Sequence, residues 1–541
     1  LSFSTDPRHG LRLADVLDAP AVSGIDLSPD GAFLAIHLRK PEAQPADGSE
    51  RWTEIVAVED GAPVRTLRGG ESGFAWAPDS RRYSYATASV GKDAEGRSDL
   101  WLASLEEGGT RRLLQGVKGL GTVRWLPDAA SLIYQVQEKS EADPRGVKLY
   151  RGLNDRWAGY RDHGHLYQVE VESGARRRLT AGPDDINFLD VSPDGRRLLF
   201  ARSHYRPTEW PYTSDDLFEL DLGTLEARSF AAVPWFRGAV YDRGGGGVLV
   251  QAAPDSFGDG GAATLPANGY DTQLFRLSLE DGAATPLTRA FDPAVEEVAW
   301  SGDVLLVRAQ VKERFGIFRG GPGFETLTPL SSGLDRIDGL DGDEAGRVLA
   351  YFGSAIRRSE TVFVRSLEPD GEPRAVYRST PLLEEKVRLG EVAEWDFEGP
   401  SGEISGRLHL PPDFDPAKSY PLIVYYYGGT IPVERNFADR YPFHVWSDKG
   451  YVVYVPQPSG ATGFGQEFSA RHVNDWGETT VEEIIEGTKA LLDAHPFLDP
   501  KRVGCIGASY GGFMTLSLIT RTDLFAAAIA HAGISSISSY W

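Results

Sequence analysis

A strand–turn–strand unit repeats along the first two-thirds of the chain, and this repeat is what most constrains the fold. In each unit an apolar strand enters a short polar turn and a second apolar strand follows, as in GIDLSPDGAFLAIHL and FLDVSPDGRRLLFAR. Proline presets the first turn dihedral, and Asp and Gly supply the rest. One turn residue from each unit gives seven markers: Asp30, Asp79, Asp128, Asp194, Asp242, Gly302 and Gly342.

These spacings, on the order of 50 residues with four short strands per unit, are typical of propeller blades. We predict a seven-bladed β-propeller over residues 22–383, preceded by an N-terminal segment, residues 1–21. The alternative is an array of β-sandwiches joined by linkers, but nothing between the units reads as a linker. A chain of 541 residues is in any case too long for one core.

The pattern changes after about residue 384. Continuous apolar strands appear in YPLIVYYYGG and YVVYVPQPSG, and helical spacing of apolar residues follows between Thr479 and His495, with Thr479 or Thr480 able to cap that helix. Strands that alternate with helices predict a parallel sheet. Residues 384–541 are therefore predicted to form an α/β domain.

Composition and charge exclude several classes of function. A net charge of −22 argues against nucleic acid as a partner and disfavours anionic membranes. No apolar run approaches the length of a membrane span, and the single Cys505 excludes an intramolecular disulfide. No His/Cys cluster has metal-ligand spacing and no loop has the phosphate-binding pattern, so we expect neither metal nor cofactor. The first residue is Leu, which favours a removed signal peptide and a periplasmic or secreted protein, with the cytoplasm as the alternative.

The stretch VGCIGASYGGFMTL carries the strongest chemical signal. Gly507-Ala508-Ser509-Tyr510-Gly511 follows an apolar strand and opens a helix, which is the arrangement that raises a nucleophilic serine above a parallel sheet. The motif alone is weak, and an ordinary helix N-cap is the alternative for Ser509. Its strand–turn–helix context favours a nucleophile.

An acyl-transfer serine needs donors for an oxyanion. One is the backbone N–H of Tyr510, directly after the serine. Tyr427, at the end of an early strand, is predicted to supply a hydroxyl, although packing of that tyrosine is the alternative. We interpret Asp475, Trp476 and Gly477 as bracing the loop SGATGFGQEF, and His531 as a packed core histidine. His444 and His472 precede the serine, which is the wrong order for this kind of site.

Together, the SPDG repeats and the segments YYYGG, SGATGFG, NDWG, DPKRVGCIGASYGGFMTL and TDLFAAAIAHAG resemble the prolyl oligopeptidase family of serine peptidases. The segment RWAGYRDHGHLYQVEV looks like its acylaminoacyl-peptidase and dipeptidyl-peptidase branches. The resemblance implies an α/β-hydrolase capped by the propeller, with oligopeptides as substrates and Ser509 as nucleophile. It also implies an oxyanion hole of Tyr427 and Tyr510, and a substrate pocket that includes Ile534, Ile537 and Tyr540.

Two departures from the family limit what the resemblance implies. Dipeptidyl members often have tryptophan at the Ile537 position, so a strict preference for proline is in doubt. They also hold the free amine of the peptide with paired glutamates. Here Glu106-Glu107 and Glu296-Glu297 lack the family context and are interpreted as solvated pairs, which leaves exopeptidase action as a preference.

A third departure concerns the acid and base of the triad. In the family both follow the serine on loops after the last two sheet strands, and those strands have no counterpart before Trp541. We therefore expect a further C-terminal segment or chain to supply Asp and His, since a lone serine has no base. The alternatives are a propeller-capped esterase and an inactive propeller binding protein. A homodimer is compatible with the sequence.

Overall fold

The computed structural model describes most of the chain. The described residues are 8–40, 50–91, 94–106, 108–140, 145–150, 152–157, 159–206, 208–258, 266–321, 326–381, 383–438, 440–536 and 538.

Seven four-stranded antiparallel sheets follow one another from Ala21 to Arg378, and each sheet uses four consecutive strands. Blades 1 to 7 comprise, in order, Ala21–Leu27, Phe33–Arg39, Arg51–Ala57 and Pro63–Arg68; Ser72–Trp76, Arg82–Ala88, Arg97–Ser104 and Thr110–Lys118; Leu120–Trp125, Ser131–Glu138, His163–Glu170 and Arg176–Arg178; Ile186–Val191, Arg197–Tyr205, Thr213–Asp221 and Ala227–Pro234; Gly238–Tyr241, Gly247–Ala252, Gln273–Ser278 and Ala284–Pro286; Ala294–Ser301, Val304–Val311, Arg314–Gly320 and Leu327–Leu330; Arg336–Gly342, Val348–Ala355, Arg358–Ser366 and Arg374–Arg378. The predicted seven-bladed propeller is confirmed.

The Ser-Pro-Asp-Gly turns that mark the repeat are held by their own side chains. In blade 1, Ser28 donates its hydroxyl to Asp30 over 2.7 Å, and Asp30 accepts the N–H of Ala32 over 3.0 Å. The fourth turn residue, Gly31, has φ +71°, a conformation that glycine adopts without strain. Side-chain hydrogen bonds of this kind favour a turn over a continued strand.

Neighbouring blades are joined by tryptophan side chains and by apolar clusters. Trp76, Trp125 and Trp300 each donate the indole N–H to a carbonyl of the preceding blade, at 2.9, 3.2 and 3.0 Å. An apolar cluster lies at every junction around the ring, including the junction between blades 7 and 1. Burial of these faces is the main stabilising contribution to a repeat fold.

The ring closes between blades 7 and 1 without a shared strand. Val22 donates its N–H to Glu360 over 2.7 Å, and Leu27 donates its N–H to Asp341 over 2.8 Å. We call this junction the seam. Its contacts are side-by-side packing and hydrogen bonds between separate sheets, and among the described residues no strand pairing crosses it.

The second domain is built on a six-stranded sheet. Its strands, in spatial order, are Val392–Glu394, Gly406–His409, Val452–Pro456, Tyr420–Tyr425, Leu498–Ala508 and Ala527–His531. The last four run parallel, as predicted for the α/β part of the chain. A hairpin, Phe397–Gly399 with Gly402–Ile404, packs beside the sheet. The helices are Leu383–Lys386, Phe443–Asp448, Gln466–Ala470, Glu478–Ala494 and Tyr510–Arg521.

The cap of helix Glu478–Ala494 corrects the sequence prediction. Neither Thr479 nor Thr480 caps it; Asp475 accepts the N–H of Glu478 over 2.8 Å and that of Thr479 over 3.3 Å. Asp475 lies three residues before the helix starts, and left-handed residues at Asn474 and Gly477 turn the chain so that its carboxylate reaches back. A carboxylate at a helix N-terminus also complements the helix dipole.

The N-terminal segment packs on the second domain before the chain enters the propeller. Its strand His9–Gly10 pairs in parallel with Val387–Arg388, and helix Leu13–Leu17 follows. Leu11 is buried in a cluster with Leu383, Val387, Phe437 and Val445. Across the described ranges, none of the helices combines the length and the apolar character that crossing a membrane would require.

Candidate active site

Ser509 lies on the sharp turn between strand Leu498–Ala508 and helix Tyr510–Arg521. Its backbone has φ +56° and ψ −114°, a strained conformation for a residue with a side chain, and its side chain is exposed. The N–H of Ser509 donates to the carbonyl of His531 over 2.9 Å, and its carbonyl accepts from Phe513 over 3.1 Å. The backbone is thus fixed on both sides while the hydroxyl stays accessible.

The glycines around the serine are required by close backbone packing. A Cβ on Gly507 would lie 2.3 Å from the carbonyl oxygen of Gly511, and one on Gly512 would lie 2.6 Å from Cα of Gly533. Only glycine fits at these approaches, since real Cβ contacts are never that short. The turn therefore has the geometry expected of a nucleophile elbow.

Both predicted oxyanion residues lie beside this turn. The rings of Tyr427 and Tyr510 are 6.2 Å apart, and Tyr427 is partly buried, two residues after strand Tyr420–Tyr425. The Tyr510 ring packs against His472 at 5.1 Å, and burial raises the pKa of its phenol well above the ordinary value. The amide of Tyr510 opens the helix, where partial positive charge is concentrated. The donor roles of Tyr427 and Tyr510 stay predictions.

A cavity of about 270 Å³ lies beside Tyr427. It is lined by aromatic, apolar and polar side chains of both domains: Arg336, Tyr425, Tyr427, Ile431, Pro432, Val433, Glu434, Asn436, Tyr441 and Phe443. Ile534, predicted to belong to the substrate pocket, is partly buried but does not line this cavity. Ile537 and Tyr540 lie outside the described residues.

The histidines are placed differently from one another. His531 is exposed on strand Ala527–His531 and hydrogen-bonds the Tyr441 hydroxyl, so its interpretation as a packed core histidine was wrong. The whole of that strand is exposed, and it lies at one edge of the sheet. His444 is buried and its Nε2 lies 2.6 Å from the carbonyl of Ile356 in the propeller. Within the described part of the chain, no histidine hydrogen-bonds the Ser509 hydroxyl.

The loop that begins at Ser459 is held by a buried residue that sequence reasoning missed. Glu483, only 1% exposed, accepts the N–H of Ser459 over 2.7 Å and its hydroxyl over 2.6 Å. Asp475 instead caps helix Glu478–Ala494 by accepting the N–H of Glu478. Trp476 is 56% exposed. The signal for Glu483 was its position on the apolar face of a helix, one residue before Ile484.

A second set of missed residues lies between the domains. Glu313, at the tip of a blade 6 hairpin, forms ion pairs with Arg407 and Arg435 of the second domain, and all three side chains are buried. In the sequence, Lys312-Glu313-Arg314 has the composition of a solvated hairpin. A charged residue at a hairpin tip gives no indication from sequence that another domain will cover it.

The glutamate pairs differ in their surroundings. Glu106 is exposed, with Arg81 at 3.5 Å, and Glu107 lies outside the described residues. Glu297 is partly buried on the first strand of blade 6 and accepts a hydrogen bond from Arg308 over 2.9 Å, so this pair is not simply solvated. Burial raises the pKa of Glu297 although Arg308 opposes the shift. Among the described residues, no group of three His, Cys, Asp or Glu side chains could hold a metal ion.

Known proteins with similar sequences are peptidases. The family model described as "Prolyl oligopeptidase family" matches residues 437–541. The uncharacterised peptidase YuxL of Bacillus subtilis is 25% identical over 97% of this chain and 82% of its own length. Dipeptidyl-peptidase 5 of Porphyromonas gingivalis is 24% identical over 77% of this chain and 51% of its own length.

Similar solved structures share the two-domain fold. An acylaminoacyl peptidase in complex with Z-Gly-Gly-Phe-chloromethyl ketone has a TM-score of 0.79 at 18% identity, covering 96% of this chain and 78% of that one. The Pyrococcus horikoshii acylaminoacyl peptidase has a TM-score of 0.77 at 19% identity, covering 98% and 79%. These matches agree with the fold described above, which has a seven-bladed propeller and a serine on a strand–helix elbow. The chain is similar to the prolyl oligopeptidase family, whose model matches residues 437–541.

Proposed function

We propose that this protein cleaves short peptides through an acyl-enzyme formed on Ser509, as an exopeptidase of the dipeptidyl-peptidase or acylaminoacyl-peptidase type. The observation that carries the proposal is the strained, exposed Ser509 at the elbow of a parallel sheet. The names of the relatives, dipeptidyl-peptidase 5 and acylaminoacyl peptidase, support exopeptidase action.

In the proposed reaction, Ser509 Oγ attacks the carbonyl carbon of the scissile peptide bond and its proton passes to an imidazole base. The oxygen of the tetrahedral intermediate accepts hydrogen bonds from the Tyr510 N–H and the Tyr427 hydroxyl. The base then protonates the leaving amine, the C–N bond breaks, and the acyl group remains on Ser509. Water, deprotonated by the same base, releases the acid product.

The base and its orienting acid are proposed to come from a segment outside the 541 residues. Ser509 needs such a base because a neutral hydroxyl is a weak nucleophile. Exposed strand Ala527–His531 has a free edge where further strands of the same sheet could pair. Those strands would place their carboxyl-end loops on the side of the sheet where Ser509 lies.

The propeller is proposed to restrict the site to short peptides. It contacts the second domain at several points, among them Thr462 to Gln310 at 2.5 Å and Ser469 to Asp271 at 2.6 Å. These contacts attach blades 5 and 6 directly to the loop and helix that precede His472. A folded protein is too large to enter between two domains that are docked in this way.

The test uses the full-length protein with a fluorophosphonate probe and a substrate panel. Ser509 should carry the label, and Ser509→Ala should lose both labelling and peptide turnover, the latter on the order of 10⁶-fold. The panel contains dipeptide anilides, acyl-aminoacyl anilides and short nitrophenyl esters. Turnover of esters alone would reject a peptidase, and failure of Ser509 to label would reject the acyl-enzyme.

A further inference from the structure

A hairpin of blade 6 reaches into the second domain and buries a carboxylate there. Glu313 lies between strands Val304–Val311 and Arg314–Gly320, and its side chain is 6% exposed. Its carboxylate accepts hydrogen bonds from Arg407 at 2.8 Å, Arg435 at 2.7 Å and Gln457 at 2.6 Å. Removing a carboxylate from water without such partners would be very unfavourable.

The charges in this cluster balance. Arg407 and Arg435 are 0% and 5% exposed, and Arg435 also donates to Glu394 over 2.7 Å. Asp335 lies 3.9 Å from Arg435, and Arg314 pairs with both Asp335 and Glu394 at 2.6 and 3.6 Å, so three guanidinium groups face three carboxylates. Burial alone would raise the pKa of Glu313, but Arg407 and Arg435 outweigh it, so its pKa is lowered and the carboxylate stays ionised.

The groups that hold Glu313 also hold the segment Val433–Arg435. The amide of Gln457 accepts the N–H of Val433 over 2.9 Å and donates to its carbonyl over 2.7 Å. Arg407 donates to the carbonyls of Val433 and Glu434 at 3.1 and 2.9 Å. The N–H of Arg435 donates to the backbone carbonyl of Glu313 itself over 3.2 Å. The hairpin and this segment therefore share one network.

This segment forms a wall of the cavity beside Tyr427. Ile431, Val433, Glu434 and Asn436 all line it, and the chain connects them to Tyr427 through Gly428 and Gly429. The Tyr427 ring lies over Gly429, where a Cβ would be 2.7 Å from it. A shift of Val433 would thus change the shape of the cavity and the support of Tyr427.

We propose that Glu313 is a positioning residue through which the docked propeller sets the wall of the substrate cavity. Glu313 touches no reacting atom; it acts through Arg407 and Gln457 on Val433 and Glu434. The proposal rests on the proposed peptidase function for its kinetic consequence. Its structural consequence, an ordered segment 429–436, does not depend on any activity.

The first test compares Glu313→Gln with Arg357→Met in the full-length protein. Arg357 is a matched control because it lies on the corresponding hairpin of blade 7 and donates to the Gly390 carbonyl over 2.6 Å, away from the cavity. Hydrogen exchange of residues 429–436 should speed up at least about tenfold in Glu313→Gln and remain unchanged in Arg357→Met.

Kinetics on dipeptide and acyl-aminoacyl anilides give the second readout, with rates expressed per fluorophosphonate-reactive site. A displaced wall weakens binding of ground state and transition state alike, so KM should rise more than kcat falls, with kcat/KM lowered by about 10²-fold. A merely destabilised protein would instead lose reactive sites while KM stayed constant.

Gln457→Met keeps the test decisive if Glu313→Gln does not fold. It leaves both arginines on Glu313, so the domains stay docked, yet it removes both hydrogen bonds between Gln457 and Val433, and it should reproduce the faster exchange and the higher KM. Unchanged exchange in residues 429–436 in the folded variants would overturn the proposal, as would an equal change in Arg357→Met. Faster exchange together with an inactive wild-type protein would reject the peptidase function and support the positioning role.

Discussion

Two junctions of the molecule bury carboxylates in opposite ways. Where blade 6 meets the second domain, Glu313 is ionised between Arg407 and Arg435. At the seam between blades 7 and 1, Glu360 and Asp341 accept backbone N–H groups of Val22 and Leu27, and neither forms an ion pair with any residue that the structure describes. Burial, together with nearby Asp338 for Glu360 and Asp26 for Asp341, raises the pKa of each of these two to about 7.

The difference shows how a buried acid can be stabilised by cations or by a proton. In the Glu313 cluster, cations stabilise the ionised carboxylate. Removal of one partner is therefore strongly destabilising, because it leaves a buried charge without its partner. The seam carboxyls need no cation, but their stability depends on pH. The stability of the interdomain contact is thus sensitive to mutation, whereas the stability of the seam falls as the pH rises.

The largest expected effect comes from Arg407→Met, which removes one cation from the Glu313 cluster. Glu313 keeps Arg435, but the Glu434 carbonyl loses its Arg407 donor and the Val433 carbonyl keeps only Gln457, and we expect the free energy of unfolding to fall by about 3–5 kcal/mol. Chemical denaturation measures the change. Arg206→Met is the control, because both side chains of the Arg206–Glu209 pair are exposed and the pair is worth less than about 1 kcal/mol. Equal losses in the two variants would remove the contrast between buried and surface pairs.

Because of Glu360 at the seam, we expect the free energy of unfolding to change with pH by up to about 3 kcal/mol. Between about pH 4.5 and 7 the native protein keeps a proton on Glu360 that the unfolded chain has released, so stability falls as the pH rises. Glu360→Gln keeps an acceptor for Val22 and abolishes the titration, and should therefore reduce the loss of stability between pH 5 and pH 8.

The measurement is the denaturation midpoint of both proteins across that pH range. Glu368→Gln, an exposed glutamate on the same blade, serves as the control and should follow the wild-type curve. Parallel curves for wild type and Glu360→Gln would show that the seam carboxyl does not control the pH dependence.

The smallest effect is expected at Asp271, which has a hydroxyl partner instead of a cation. Burial raises its pKa to about 7, and the Ser469 hydroxyl opposes the shift. Ser469→Ala should cost about 1 kcal/mol at pH 8, where the carboxylate is ionised, and less at pH 5. Ser173→Ala removes an exposed Ser–Glu hydrogen bond of 2.7 Å and should change stability little at either pH. A cost at pH 5 equal to that at pH 8 would contradict the assignment.

Much of the fold could be predicted because its signals are local. Four consecutive residues determine the geometry of the turns around Asp30 and Asp194, and five determine that of the elbow at Ser509. Each of these depends on side chains bonding to their own neighbouring backbone or on glycines at close approaches. Such interactions are fixed by adjacent residues and are therefore visible in the sequence.

What could not be predicted depends on contacts between distant segments. The cap from Asp475 required knowing that two left-handed residues turn the chain, and the hydrogen bond of His531 joins it to Tyr441, 90 residues away. Glu313 meets Arg407, far along the chain, only when two domains dock. Periodicity and propensity carry no information about such pairings.

The short parallel pairing of His9–Gly10 with Val387–Arg388 has a consequence for how the ring is attached. Because the chain enters blade 1 and leaves blade 7 next to this pairing, the propeller is topologically an insertion whose two ends are neighbours. Replacement of the propeller by a cap with a different number of blades would leave those ends in place. The hydrolase scaffold can therefore acquire a wider or narrower entrance without any change in its own connectivity.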